Sequence, residues 1–420
     1  MSDSRAFRRR LRNAWRRFSA GLPRGTISPL VQNDLFKAHA SLFEFAAAFG
    51  VGRRVLVQDE QAAFGAHVIG QAGAASVTGM MRSERARRFA QQSYGAANVR
   101  FAAPGESAEH DLLMTREPLA ATDLRTEAQQ LGSAGKLLIA LTPGMAAGVA
   151  GASLLRDARS AFACVRRFVH SALVPVDLAS PFPSTLSMDA FQFHELGEAE
   201  AIGSNAIAVL YLATNDPKWH HLKLHLGCGP ISIPGWVNVD NQAYPGIDFR
   251  WDLARGLPFR DASFIFAEHF VEHLSYPHAK GFLQACRKAL RDDGVLRLST
   301  PNLDWVWQTS YHPGEWRETD ESLRDCFVLN RAFRGWGHQF LYNEATLIAA
   351  LHNAGFDEVR RAAYGQSECA DLQGLERHEQ YPDTPALPHI LIVEARGRRQ
   401  DQSIEGATYI HEYERDLAVR

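Results

Sequence analysis

The string Leu224-His225-Leu226-Gly227-Cys228-Gly229-Pro230 is an apolar run that breaks into a tight glycine turn, and Asp240 stands at the end of the next short apolar run. Glycines at such a turn let main chain approach a ligand closely, and a carboxylate at the end of a neighbouring strand can accept hydrogen bonds from both hydroxyls of a ribose. That is the chemistry of holding a nucleoside cofactor. A second string, His269-Phe270-Val271-Glu272-His273, spells H-x-x-E-H, the spacing with which two histidines on one helix grip zinc while a glutamate serves as base. Here the string follows closely on a predicted strand. His269 is therefore expected at the loop and helix start, His273 reads as a capping or packing histidine, and no metal is expected.

His269 is the first candidate for a general base, because an imidazole titrates close to neutral pH. Asp304, in Pro301-Asn302-Leu303-Asp304, and His338 are further catalytic candidates. Residues 302 to 337 hold Trp305, Trp307, Trp316 and Trp336, four of the chain's eight tryptophans, with Tyr311 among them. Indole faces can cover an aromatic substrate or the apolar face of a sugar, as a lid or acceptor wall, or they can simply bury area in a core.

Positioning such residues requires a sheet, and both halves of the chain alternate short apolar runs with amphipathic helices, the pattern of an α/β domain with a parallel sheet. In the second half the predicted strands are 223–226, 237–239, 248–251, 264–267, 295–299 and 389–394. One helix is predicted over 277–290, stopped by Asp292-Asp293-Gly294, and another from Asn343 to Gly355. The first half repeats this order, with strands at 55–57, 76–80, 99–101, 111–114 and 136–141, and 206–212 as its closing strand. Gly135-Lys-Leu-Leu-Ile-Ala-Leu-Thr-Pro143 echoes Gly294-Val-Leu-Arg-Leu-Ser-Thr-Pro301. The expected organisation is a basic helix over 1–24, a first domain over 25–216, a second over 217–400 and a tail over 401–420.

The second half resembles class I S-adenosylmethionine-dependent methyltransferases, in particular bacterial type 11-like predicted methyltransferases written L-H-L-G-C-G-P and then P-G-W-x-N-V-D. The likeness continues through Trp251-Asp252-Leu253 with Leu257-Pro258-Phe259, Glu268 to Leu274, Gly294 to Pro301 and Ala354-Gly355-Phe356. It implies a Rossmann-like domain, a mostly parallel sheet with helices on both faces, and S-adenosylmethionine as cofactor; with the repeat in the first half, two such domains are expected in tandem. It also implies that Gly227 and Gly229 pass beneath the methionine part, that Asp240 holds the ribose and Asp252 meets the adenine edge, and that Ala267, Glu268 and His269 line the pocket. Leu226, Cys228 and Leu253 belong to the same binding set. The span from Gly227 to Asp240 is shorter than the roughly 20 residues of dinucleotide folds. With Pro230 and Pro234 inside it, the first helix is expected to shrink to a turn. The first half resembles a degenerate copy: Asp59, Gln61 and Ala63 replace glycines and Met81 replaces the ribose acid. It reads as a scaffold, a dimerisation surface or an acceptor-binding partner.

Composition sets the frame. The chain has 420 residues, 46% hydrophobic and 22% charged, with a formal net charge of −2, which argues against nucleic acid as partner. The first 24 residues carry eight arginines against one acid, with Phe7, Leu11, Trp15, Phe18 and Leu22 at helical spacing. Such a basic amphipathic helix can lie on an anionic membrane or dock on the protein's own acidic body; a mitochondrial transit peptide has similar composition. Cys164, Cys228, Cys286, Cys326 and Cys369 are scattered without a C-x-x-C pair, which fits reduced thiols in the cytoplasm. The expected activity is methyl transfer to a small-molecule, lipid-linked or glycan acceptor. The alternative is a non-catalytic, membrane-associated adaptor built on methyltransferase-like domains.

Overall fold

Runs that are apolar on both faces belong in parallel sheets covered by helices on both sides, and Lys136 to Leu141 is buried at every position. A computed structural model describes residues 32–58, 63–106, 109–179, 184–312, 319–377, 384, 386–401 and 403–417. The helix expected over 1–24 lies outside these residues, as do Asp59, Gln61 and Trp316. The chain forms two compact units, one of residues up to His220 with Asp248–Arg250, the other of His221–Ile247 with Trp251 onward.

In the first sheet, β1 (Arg54–Gln58), β2 (Ser76–Met80), β3 (Val99–Ala102), β4 (Leu112–Thr115) and β5 (Lys136–Leu141) pair in parallel in the order β3-β2-β1-β4-β5. Beyond β5 the sheet continues antiparallel through β8 (Ala206–Thr214), β6 (Cys164–Ala172) and β7 (Phe191–Glu195). Leu56, Leu113, Leu137, Ile139, Val209 and Tyr211 fill its core.

The second sheet runs β11-β10-β9-β12-β13-β15-β14, formed by β9 (Lys223–Leu226), β10 (Val237–Asp240), β11 (Phe249–Arg250), β12 (Ala262–Glu268), β13 (Leu290–Pro301), β14 (Glu358–Arg361) and β15 (Ile390–Arg396). β10, β9, β12 and β13 are parallel, and β15 enters antiparallel between β13 and β14. In both sheets the third, second, first, fourth and fifth strands follow one another, and the closing strand lies antiparallel against the fifth. Both sheets are α/β and Rossmann-like, and both reverse their order between the first and fourth strands, where ligands bind in such folds.

Three strands were not visible in the sequence. β6 reads Cys-Val-Arg-Arg-Phe and looks charged, but Arg166 is buried with its Nε 2.8 Å from a Glu195 carboxylate oxygen of β7. β7 is the other half of that pair, and β14 is a mostly exposed strand at the sheet edge. The helix predicted to stop at Asp292-Asp293-Gly294 is Tyr276–Ala289 and closes earlier, with β13 starting at once. The Arg287 guanidinium donates to the carbonyls of Leu290 and Arg291, satisfying main chain just past the helix end. The tail contributes a helix, Ala407–Leu417, whose Tyr413 ring meets those of Phe340 and Tyr276. Among the described residues no helix is long and apolar enough to cross a membrane.

Candidate active site

β9 delivers the chain into the glycine turn with Leu226 fully buried. Gly227 and Gly229 have φ of +63° and +55°, a conformation that side chains disfavour. Their surroundings differ. A Cβ on Gly227 would stand 2.3 Å from the Phe270 ring, whereas one on Gly229 would meet nothing within 4 Å. Packing alone therefore demands glycine at the first position, and the second borders open space. Asp240, at the end of β10, accepts the Gly229 N–H at 2.9 Å on one carboxylate oxygen and the Gln242 N–H at 2.8 Å on the other. It welds the turn to β10, and each oxygen keeps a second lone pair for a ligand hydroxyl.

No helix forms between β9 and β10. Asn238 closes the replacement loop: its side-chain oxygen accepts the Ile233 N–H, and its amide donates to the carbonyls of Ile233 and Trp236. The neutral ring of His225 lies 3.1 Å from the same oxygen, its pKa pushed down to about 4 by burial. Asn238 is the asparagine of the P-G-W-x-N-V-D string, but the sequence assigns it no role, because within a strand only its alternation with Val237 and Val239 is conspicuous.

The remaining expected cofactor residues divide. Leu226, Cys228, Leu253 and Ala267 are buried, so their side chains serve the core. Asp252 is exposed and caps a short helical turn, accepting the Ala254 N–H at 3.0 Å. Glu268, at the end of β12, accepts the Arg377 N–H at 2.8 Å.

After β12 the chain turns sharply. His269 has φ of +48° and donates its N–H to the Ser299 carbonyl of β13. Only the single turn Val271–His273 follows, so the H-x-x-E-H string is not one helix. His269 Nδ1 lies 2.9 Å from a Glu272 carboxylate oxygen. The carboxylate can only accept, so Nδ1 carries the proton and the lone pair falls on Nε2. Glu272 is fully buried and takes a further hydrogen bond from the Thr300 hydroxyl. His338 is brought beside this turn, its ring centroid 5.1 Å from that of His273. His269, Glu272, His273 and His338 thus form one group. Asp304 occupies the first turn of the helix Leu303–Ser310, exposed, its N–H held by Asn302.

His338 ends an insertion rich in exposed aromatic surface. Trp307 is 49% exposed, Phe327 71% and Trp336 65%, so these rings are not spent on a core; Trp307 packs on Tyr311, and the Arg331 guanidinium lies over Trp336. In the first unit, Met81, which the sequence sets in place of the ribose acid, directly follows β2 and is buried.

A family model described as a methyltransferase domain matches residues 189–360, a span that begins before β7 and ends within β14. The C-terminal half carries a methyltransferase domain. Among solved structures, the TehB-like S-adenosylmethionine-dependent methyltransferase from Corynebacterium glutamicum is 14% identical, covering 51% of this chain and 98% of its own, with a TM-score of 0.28. The N-methyltransferase NodS from Bradyrhizobium japonicum is 13% identical over 43% of this chain and 97% of its own, with a TM-score of 0.29. The tRNA (m1A58) methyltransferase TrmI from Aquifex aeolicus is 13% identical over 46% and 82%, with a TM-score of 0.30. Curated protein sequences yield no match.

Proposed function

We propose that the methyltransferase domain binds S-adenosylmethionine at the β9–β10 turn and transfers its methyl group to a small-molecule, lipid-linked or glycan acceptor. The observation that carries this reading is the Asp240 carboxylate held against Gly229, where a Cβ would meet nothing within 4 Å. An acceptor-only group beside open, glycine-lined main chain suits the ribose hydroxyls and the neighbouring amino-acid end of the cofactor. When bound, S-adenosylmethionine supplies an electrophilic methyl carbon on a sulfonium, which departs as a neutral thioether.

The chain's part is orientation and proton removal. His269 is oriented by Glu272 as a base is oriented by a third group, and its Nε2 can take the proton of an acceptor hydroxyl or amine as the new bond to carbon forms. The exposed rings of Trp307 and Trp336 suit the apolar face of a sugar or an aromatic acceptor.

The test uses methyl-labelled S-adenosylmethionine with fractionated small-molecule and glycan extracts. Label should appear in one acceptor fraction, and His269→Ala should slow that transfer by roughly 10²- to 10⁴-fold with affinity for S-adenosylhomocysteine nearly unchanged. Failure to bind S-adenosylhomocysteine, with no transfer to any fraction, would favour the adaptor, and undiminished transfer by His269→Ala would remove His269 from catalysis.

A further inference from the structure

We propose that Glu272, His273 and His338 form a divalent-cation site that takes a first-row transition ion, such as Zn²⁺ or Mn²⁺, and presents it to a hydroxyl of the methyl acceptor. One ligand atom from each of the three lies within 4.8 Å of the others. The donor set is one carboxylate and two imidazoles, which suits such ions and leaves coordination positions open for a substrate oxygen.

Each ligand is prepared. His338 Nδ1 lies 2.8 Å from the Ala332 carbonyl, an acceptor only, so that nitrogen carries the proton and Nε2 offers its lone pair. Holding the outer N–H on a carbonyl is how metal-bound histidines are usually fixed. Glu272 is fully buried, yet no lysine or arginine among the described residues pairs with it; His269 meets it through a hydrogen bond. A buried carboxylate facing imidazoles gains compensation from a cation. Its oxygens accept one hydrogen bond each, from His269 and Thr300, and both retain a lone pair.

The main chain clamps the two segments together. The N–H groups of Gln339 and Phe340 both donate to the Glu272 carbonyl, and the Gln339 side chain donates to the His273 carbonyl at 2.6 Å. Trp336 sits at φ +56° just before His338. A non-glycine residue in that region is strained, and such strain collects where a side chain must be aimed.

A bound cation would lower the pKa of a coordinated acceptor hydroxyl. The hydroxyl proton then leaves to His269 or water, the oxygen forms its bond to the methyl carbon, and the carbon–sulfur bond breaks with its electron pair going to sulfur. Acceptor activation rests on the methyl-transfer reading; binding of the cation does not.

The experiment titrates tag-free, chelator-treated full-length protein with Co²⁺, followed by visible absorption, and with Zn²⁺ and Mn²⁺ by calorimetry. One ion per chain is expected. Glu272→Gln, His273→Ala and His338→Ala should each weaken binding by about 10- to 100-fold or more, while S-adenosylhomocysteine still binds, which also reports that the variants are folded. His273→Ala, at a partly exposed position, serves if Glu272→Gln does not fold. Product binding without any ion binding would overturn the cation site and leave the methyltransferase reading standing. Ion binding undiminished by His273→Ala and His338→Ala would likewise overturn it.

Discussion

Asp240 does two things at once, and its replacement separates them. It braces Gly229 and Gln242, and it keeps lone pairs for a ribose. Asp240→Ala loses both, so affinity for S-adenosylhomocysteine should fall by about 1.5 to 3 kcal/mol, the range for charge-assisted hydrogen bonds. Asp240→Asn keeps one acceptor oxygen and should lose less. Calorimetric titration decides it, and an alanine variant with unchanged affinity would contradict the assignment. Residue types made Gly227, Gly229 and Asp240 legible in the sequence, because the chemistry of a glycine turn beside an acid is local. The grouping of Glu272 and His273 with His338 was not legible: no periodicity joins residues so far apart, and the clamp from Gln339 and Phe340 is main chain. The sequence placed His269 at the loop and helix start with His273 on that helix; the structure gives His269 a positive φ and only the short turn Val271–His273 after it.

At the scale of elements, the loop between β9 and β10 stands where related sheets carry a helix, and one side chain holds it. Asn238 makes three hydrogen bonds to that loop from a buried position. Asn238→Ala leaves buried main-chain groups unsatisfied, at about 1–3 kcal/mol for each one lost. Asn238→Asp keeps the acceptor for Ile233 but cannot donate to the two carbonyls. Both variants should lower the melting temperature of the methyltransferase domain in calorimetry and weaken product binding. An unchanged melt would show that the loop holds itself. Strands with apolar runs, such as β5 and β9, were plain in the sequence. β6 was hidden because its arginine is buried through a partner on another strand, a fact of pairing rather than of composition.

The whole molecule repeats one sheet order in two units, and the first unit hides a charge. Lys136 is fully buried in β5 with Asp216 3.9 Å away. Burial, with some help from the Arg53 charge, pushes its pKa from 10.5 down to about 7. Between those values the unfolded chain holds a proton that the folded unit does not, so this group makes stability rise with pH across that window and gives no slope below it. Lys136→Met should raise stability at pH 7 and flatten the slope between pH 7 and 10 in denaturant melts. A slope unchanged by the substitution would mean that the folded lysine keeps its ordinary pKa.

In the proposed function only one of the two units binds S-adenosylmethionine. Its most direct test is the number of sites per chain, counted by titrating the intact protein with S-adenosylhomocysteine. One site is expected, weakened by Asp240→Ala and untouched by Met81→Ala, because the second sheet carries an acid at the end of its second strand and the first carries a buried methionine just after its own. Two sites per chain would contradict the degenerate reading of the first unit, and no site at all would contradict the methyltransferase reading of the second.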